Sequence, residues 1–231
     1  VVLTVNAPAT ASAGANQTIC ASSSTAGLGG TVGGGATGGL WSSSGTGTFA
    51  PNATTLNASY TLSAADSSAG TVTLTLSSTG QLAPCGAATA NVVVTAEAAI
   101  TSAPTKLTVC AGSPAVFSVV ATGAGLSYQW QVSWAGGNTF TNISTAATYA
   151  SYTNLAPTLA YNGNQYQVIV RGSLGTVTSA PPAVLTVRSA ATASAGSNQT
   201  ICAGSATAGL GGTVGGGATG GTWSSSGSGS F

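Results

Sequence analysis

Only two side chains in this 231-residue sequence could serve as carboxylate acids or bases, Asp66 and Glu97, and there is no histidine. Glycoside hydrolysis needs two carboxylates flanking one bond, so these two would have to meet. Asp66 stands in a turn before a strand-like run and Glu97 at a boundary between modules, which keeps them apart. Without histidine, the usual general base and the commonest metal ligand are both missing. Two carboxylates cannot supply the several acidic oxygens of a Ca²⁺ cage. The expectation is a protein that is not an enzyme, with no catalytic residue, no metal site and no cofactor. The stretch Gly33-Gly34-Gly35-Ala36-Thr37-Gly38 does satisfy G-x-G-x-x-G. That motif works by setting a phosphate on the N-terminus of a following helix. Here a strand-like segment with Trp41 follows, and no acidic residue lies about twenty positions on. The glycines therefore read as a turn.

Charge is nearly absent: Lys106, Arg171 and Arg188 face Asp66 and Glu97, a net charge of +1. Soluble domains are ordinarily about a quarter charged. A chain this neutral has no electrostatic footprint for nucleic acid or an anionic membrane surface. No apolar run reaches the ~18 residues of a membrane span, so membrane insertion is not expected either. Four Trp, six Tyr and many β-branched residues nonetheless supply the apolar surface that folding requires.

The elements that hold these residues repeat. The block from Ala9 to Phe49 recurs almost letter for letter from Ala191 to Phe231, and Cys202 follows Cys20 by 182 residues. Val2-Leu3-Thr4-Val5 likewise matches Val184-Leu185-Thr186-Val187. A fixed period signals strung modules. The expected organisation is the last strand of a preceding module (1–8), module A (9–96), module B (97–190) and the first part of a second module A (191–231). The chain thus reads as a window on a longer tandem array.

Within module A, alternation marks strands at Leu28 to Val32, Leu40 to Ser44, Tyr60 to Leu62, Asn91 to Thr95 and, most clearly, Thr71 to Leu76. There Val72, Leu74 and Leu76 share one face and threonines the other, the pattern of a half-buried antiparallel strand. A single helical turn fits Ser63 to Ser68. Short strands separated by glycine turns predict an all-β sandwich.

Module B contains Phe117-Ser118-Val119, Tyr128-Gln129-Trp130-Gln131 and Asn162-Gly163-Asn164-Gln165-Tyr166-Gln167-Val168. On these segments the chain resembles the immunoglobulin-like tandem repeats of large secreted bacterial surface and adhesin proteins. The resemblance is close in module B and looser in module A, through Trp41 and the Asp66–Gly70 turn. It implies an all-β fold of tandem antiparallel immunoglobulin-like sandwiches. It gives Trp130 the role of the core tryptophan and Tyr166 that of the tyrosine corner. Val119 and Val168 then stand where that fold carries its two cysteines, and Trp41 and Trp223 are core residues of the two A copies. Some bacterial surface sandwiches carry a Lys–Asn isopeptide bond. Module A has no Lys and Glu97 precedes the first strand of B, so Lys106 reads as a solvated surface residue.

Four cysteines in such an extracellular chain suggest disulfides. Cys20 and Cys85 flank the two ends of module A and are paired with each other. The partner of Cys202 would lie past the window. Cys110 is left over, as a small buried hydrophobe, an intermolecular bridge or one end of an alternative pairing.

The resemblance and composition together imply a structural repeat of a long filament, stalk or adhesin, secreted or at the cell surface. Its expected partners are other copies of itself, through uncharged strands such as Thr71–Ser77 and Asn91–Thr95 taken as sheet edges, and glycans or a host surface. The alternative is a glycan- or protein-binding module using Trp134, Phe140, Tyr149 and Tyr152, aromatics whose other reading is that they cover the Gly136-Gly137-Asn138 hairpin or seal a contact with the neighbouring module. Five sequons, at Asn16, Asn52, Asn57, Asn142 and Asn198, add N-glycosylation as an expectation.

Overall fold

The computed structural model describes residues 1–144, 147–228 and 230–231. It is nearly all β, in two immunoglobulin-like sandwiches followed by a stretch with one further strand pair. The first sandwich holds β1 (Thr10–Ser12), β2 (Gln17–Cys20), β3 (Thr31–Gly33), β4 (Gly38–Ser43), β5 (Thr48–Ala50), β6 (Ser59–Thr61), helix α1 (Ala64–Ala69), β7 (Thr71–Thr79) and β8 (Thr89–Glu97). One layer has the order β2-β8-β7-β4. The other joins the β1–β3 and β5–β6 pairs through backbone bonds that run from 25–30 to 56–60, such as Leu28 N–H to Ala58 C=O at 2.8 Å.

Alternation explains this core. Val72, Leu74 and Leu76 on β7 are buried, and Val72 and Leu74 lie opposite Val94 and Val92 on β8. Their threonine neighbours face outward, where β-branched residues keep the strand extended without an apolar surface. Trp41 on β4 adds to the same layer, opposite Leu76 of β7, and Leu28, Tyr60 and Leu62 complete the core from the facing side. Each such side chain contributes about 1.5–3 kcal/mol on burial.

The second sandwich holds β9 (Ala99–Ser102), β10 (Leu107–Cys110), β11 (Ala115–Ser118), β12 (Val120–Thr122), β13 (Ser127–Ser133), β14 (Thr141–Asn142), β15 (Ser151–Asn154), β16 (Gln165–Arg171), β17 (Thr176–Thr178) and β18 (Ala183–Arg188). Its long sheet has the order β10-β18-β16-β13-β14, with β17 also on β16. The opposite layer contains β9–β12 and β11–β15. Within 191–231, β19 (Thr192–Ser194) pairs with β20 (Thr213–Gly215), and Thr192↔Gly215 repeats Thr10↔Gly33 one period earlier.

Two expectations are corrected here. The sandwiches are not purely antiparallel, because β2 runs parallel to β8 and β10 parallel to β18. In each, the incoming chain crosses to the long sheet and lies alongside the strand that leaves the module. Secondly, Thr71–Ser77 and Asn91–Thr95 are not edges. β7 lies between β8 and β4, and β8 between β2 and β7. The edges of these two long sheets are β2, β4, β10, β14 and β17, of which β14 has two residues and β17 three. Short edge strands leave few open N–H and C=O groups to recruit another sheet.

Candidate functional site: the joints between modules

At the joint between the sandwiches, β8 ends at Glu97, and Ala98 donates its N–H to the Leu174 carbonyl at 3.1 Å. Gly175, in the turn before β17, packs on the Glu97 side chain. Ser173 N–H reaches the Ala124 carbonyl at 2.7 Å, and Gly70, at the end of α1, packs on Ala124. Gly70 sits at φ 83°, a left-handed conformation that a side chain would strain.

The helix that presents Gly70 is set by Asp66. Ser63 and Asp66 form a reciprocal capping box. The carboxylate also reaches across the module: Oδ1 accepts from Thr46 N–H at 2.9 Å, and Oδ2 from Gly47 N–H at 2.9 Å, Ser63 N–H at 3.1 Å and the Tyr60 hydroxyl at 3.0 Å. Burial pushes the Asp66 carboxyl up, but the bonds from Thr46, Ser63 and Tyr60 outweigh it, and the group lies below its ordinary value. Burial raises the Tyr60 phenol, partly opposed by its bond with Ser43 and reinforced by Asp66. Asp66 is thus a structural anion. Its proximity to Thr46 and Gly47 could not be found from spacing, whereas the Ser63-to-Asp66 spacing of the capping box is a signal in the sequence that the reading of a turn there did not use.

The joint preceding module A is built from the glycine turn. Gly34 and Gly35 press against the Pro8 and Ala7 carbonyls so closely that no Cβ would fit. One period on, Gly216 and Gly217 press in the same way on the Ala190 and Ser189 carbonyls. This is the physical reason for the glycine run, in place of phosphate binding. In the same joint Asn6 Nδ2 donates to the Ala83 carbonyl at 2.9 Å, and the Cys85 thiol to the Asn6 carbonyl at 3.7 Å.

The residues expected in the core of module B do meet. Val119, Trp130, Tyr166 and Val168 belong to one buried cluster, and Trp130 lies opposite Val168 across β13 and β16. Phe117 and Tyr152 fill the space between the layers: Phe117 stacks on Tyr166 at 4.5 Å between ring centroids, and Tyr152 on Tyr166 at 5.8 Å. Burial raises the Tyr166 phenol against the opposing effect of its bond with Asn154. Both core tryptophans donate their indole N–H to a carbonyl, Trp41 to Leu56 and Trp130 to Tyr149. Trp223 departs from expectation and is 46 % exposed. Trp41 is covered by Leu56 and Leu76, whereas the ring beside Trp223 is that of Phe231, at 6.2 Å between centroids.

The cysteine pairing is overturned. All four cysteines are free thiols. Cys20 lies opposite Glu97 at one end of β8, and Cys85 precedes Thr89 at the other. The strand between them spans roughly 26 Å at ~3.3 Å per residue, whereas bridged Cα atoms lie within about 7 Å. Cys110 is exposed and not a buried hydrophobe.

The loop aromatics do not form one platform. Trp134 and Tyr149 are exposed, Phe140 is half-buried, and Tyr152 belongs to the core. Trp134 leans on Tyr161 at 5.9 Å. All five sequon asparagines are exposed. The Oδ1 atoms of Asn16, Asn52, Asn57 and Asn142 accept hydrogen bonds from Val93, Thr54, Gly29 and Gln131 respectively, a structural use of the side chain. Lys106 is exposed. Among the described residues, no three His, Cys, Asp or Glu side chains come together to hold a metal, and no helix is long and apolar enough to cross a membrane.

A family model described as a domain of unknown function (DUF8696) matches residues 98–189. No curated protein matches the chain. Among solved structures, the chain is similar to an E-to-A variant of the three titin immunoglobulin domains I67–I69, at 15% identity and a TM-score of 0.43. That match covers 75% of this chain and 63% of the titin fragment, just under two thirds of its length. Tandem immunoglobulin repeats of Dlar match at 14% identity and a TM-score of 0.34, over 80% of this chain and all of theirs. The first two immunoglobulin domains of DIP-gamma match at 14% identity and a TM-score of 0.38, over 75% and 93%.

Proposed function

We propose that this chain is a structural stretch of a long extracellular filament, stalk or adhesin in which immunoglobulin-like modules are strung end to end. The observation that carries this reading is the repeated joint. Gly34 and Gly35 seat the Ala7-Pro8 linker, and Gly216 and Gly217 seat Ser189-Ala190, 182 residues later. A linker held against a module at each repeat restricts bending, so reach grows with module number. The near absence of charge removes repulsion between successive modules and makes their packing insensitive to salt. Self-contact then runs along the array, end to end. The dispersed loop aromatics speak against a sugar-stacking platform on module B.

Small-angle X-ray scattering on the 231-residue chain tests the proposal. An extended pair is expected, each complete module adding roughly 35–45 Å, from strands at ~3.3 Å per residue plus loops. A folded-back pair, or a profile typical of a freely jointed linker, would refute a spacer role.

A further inference from the structure

We propose that each junction from a B module to the following A module is closed by a disulfide, between Cys110 and the A-module cysteine one period after Cys85. The inference rests on the array reading, and two observations converge on one backbone carbonyl. Cys110 ends β10 and lies opposite Arg188 in parallel register. The next residue, Ala111, donates its N–H to the Arg188 carbonyl at 2.7 Å. Arg188 is the counterpart of Asn6, since Val2-Leu3-Thr4-Val5-Asn6 aligns with Val184-Leu185-Thr186-Val187-Arg188. The Asn6 carbonyl is the group that the Cys85 thiol touches, at 3.7 Å.

Superposing one period on the next therefore places both cysteines beside the same peptide, one from each module. Cys110 is adjacent in sequence to the residue that bonds the carbonyl, and it lies on the outward face of β10, where Thr108 and Cys110 are exposed while Leu107 and Val109 turn inward. The loop holding Cys85 is fixed against the junction by the bond from Asn6 Nδ2 to Ala83. A thiol on a strand end and a thiol on a docked loop, one peptide apart, meet the short Cα–Cα separation that a disulfide needs.

The other kind of junction has the same strand pairing and lacks the second sulfur. Cys20 lies opposite Glu97, and Ala21 N–H bonds the Glu97 carbonyl at 2.9 Å. The loop that docks there carries Leu174 and Gly175. Cys20 thus holds the place of Cys110 at a junction whose docked loop brings Leu174 instead of a cysteine, and covalent and non-covalent junctions alternate along the array. Under tension the A-to-B junctions separate first, while the B-to-A junctions stay tied.

Bond formation joins the two sulfurs and breaks two S–H bonds. The two protons and two electrons pass to a low-molecular-weight disulfide such as oxidised glutathione, which leaves as two thiols. The test lengthens the chain past Phe231 by residues 50–97, in the order in which they follow Phe49, so that the second A module is complete. After oxidation with glutathione disulfide, unreduced digestion and mass spectrometry should join the Cys110 peptide to the peptide bearing the second copy of Cys85. Cys110 should lose its labelling by iodoacetamide, and Cys20 should keep it. Cys110 still labelled, or joined to Cys20, would overturn the inference. In the 231-residue chain, Leu174→Cys tests the same geometry and should bond to Cys20. If it stays reduced while the scattering profile is unchanged, the disulfide inference fails and the spacer reading stands. If the bond forms but the profile is that of a freely jointed pair, the spacer reading fails alone.

Discussion

Asp66→Asn should destabilise module A by about 2–4 kcal/mol at neutral pH, as follows from the loss of a charged hydrogen bond and the stranding of its donor. Oδ2 receives three hydrogen bonds and Oδ1 one. The amide oxygen of Asn will therefore take the Oδ2 place, and its NH₂ will face Thr46 N–H, donor against donor. The wild-type contribution also depends on pH. The folded carboxyl lies below the ordinary 3.8, so its stabilisation is complete above the unfolded value and fades as pH falls through the folded one. Apart from Glu97 at its boundary, module B contains no Asp or Glu, so its own unfolding should be much flatter over this range and serves as the internal control. Urea unfolding followed by tryptophan fluorescence, fitted as two transitions, measures both. The substitution should lower the module A midpoint by roughly 1–3 M, for an m-value near the low end for small domains. It should also remove most of that transition's acid dependence between pH 7 and 3. A module A midpoint that is unchanged at pH 7, or that retains its full acid dependence in the Asn variant, would refute the account of Asp66 as a buried structural anion.

Phe117→Ala removes a ring stacked on Tyr166 in the core of module B and should cost about 3–5 kcal/mol there; only the second urea transition should move, which also assigns the two transitions. Gly34→Ala places a Cβ against the Pro8 carbonyl at φ 64°. It should cost about 1 kcal/mol or more from backbone conformation alone and loosen the linker, broadening the scattering profile, whereas Gly86→Ala, with open space around it, should change neither.

Much of the architecture was legible because it is written in linear patterns. The period is a property of the string itself. The alternation at Val72, Leu74 and Leu76 encodes which face is buried, since side chains on a strand point alternately to its two sides. The helical turn read at Ser63 to Ser68 is α1, and Trp130 with Tyr166 and Val168 marked the core of module B. Only the tertiary structure decided which strands lie beside which. Alternation says that β7 and β8 have an inner face, but not that β2 and β4 flank them, so strands read as edges are interior. Pairing Cys20 with Cys85 considered their places in the chain and not the length of β8 between them. Asp66 looked like a turn residue because Thr46 and Gly47, whose N–H groups it holds, are distant in sequence and come near only when the sandwich closes. The glycine turn, too, had a local signature and a non-local cause, the approach of the Ala7-Pro8 backbone. Local patterns determine conformation and facing, which depend on neighbours in the chain. Adjacency depends on packing free energy summed over the whole module, and no stretch of the sequence holds it alone.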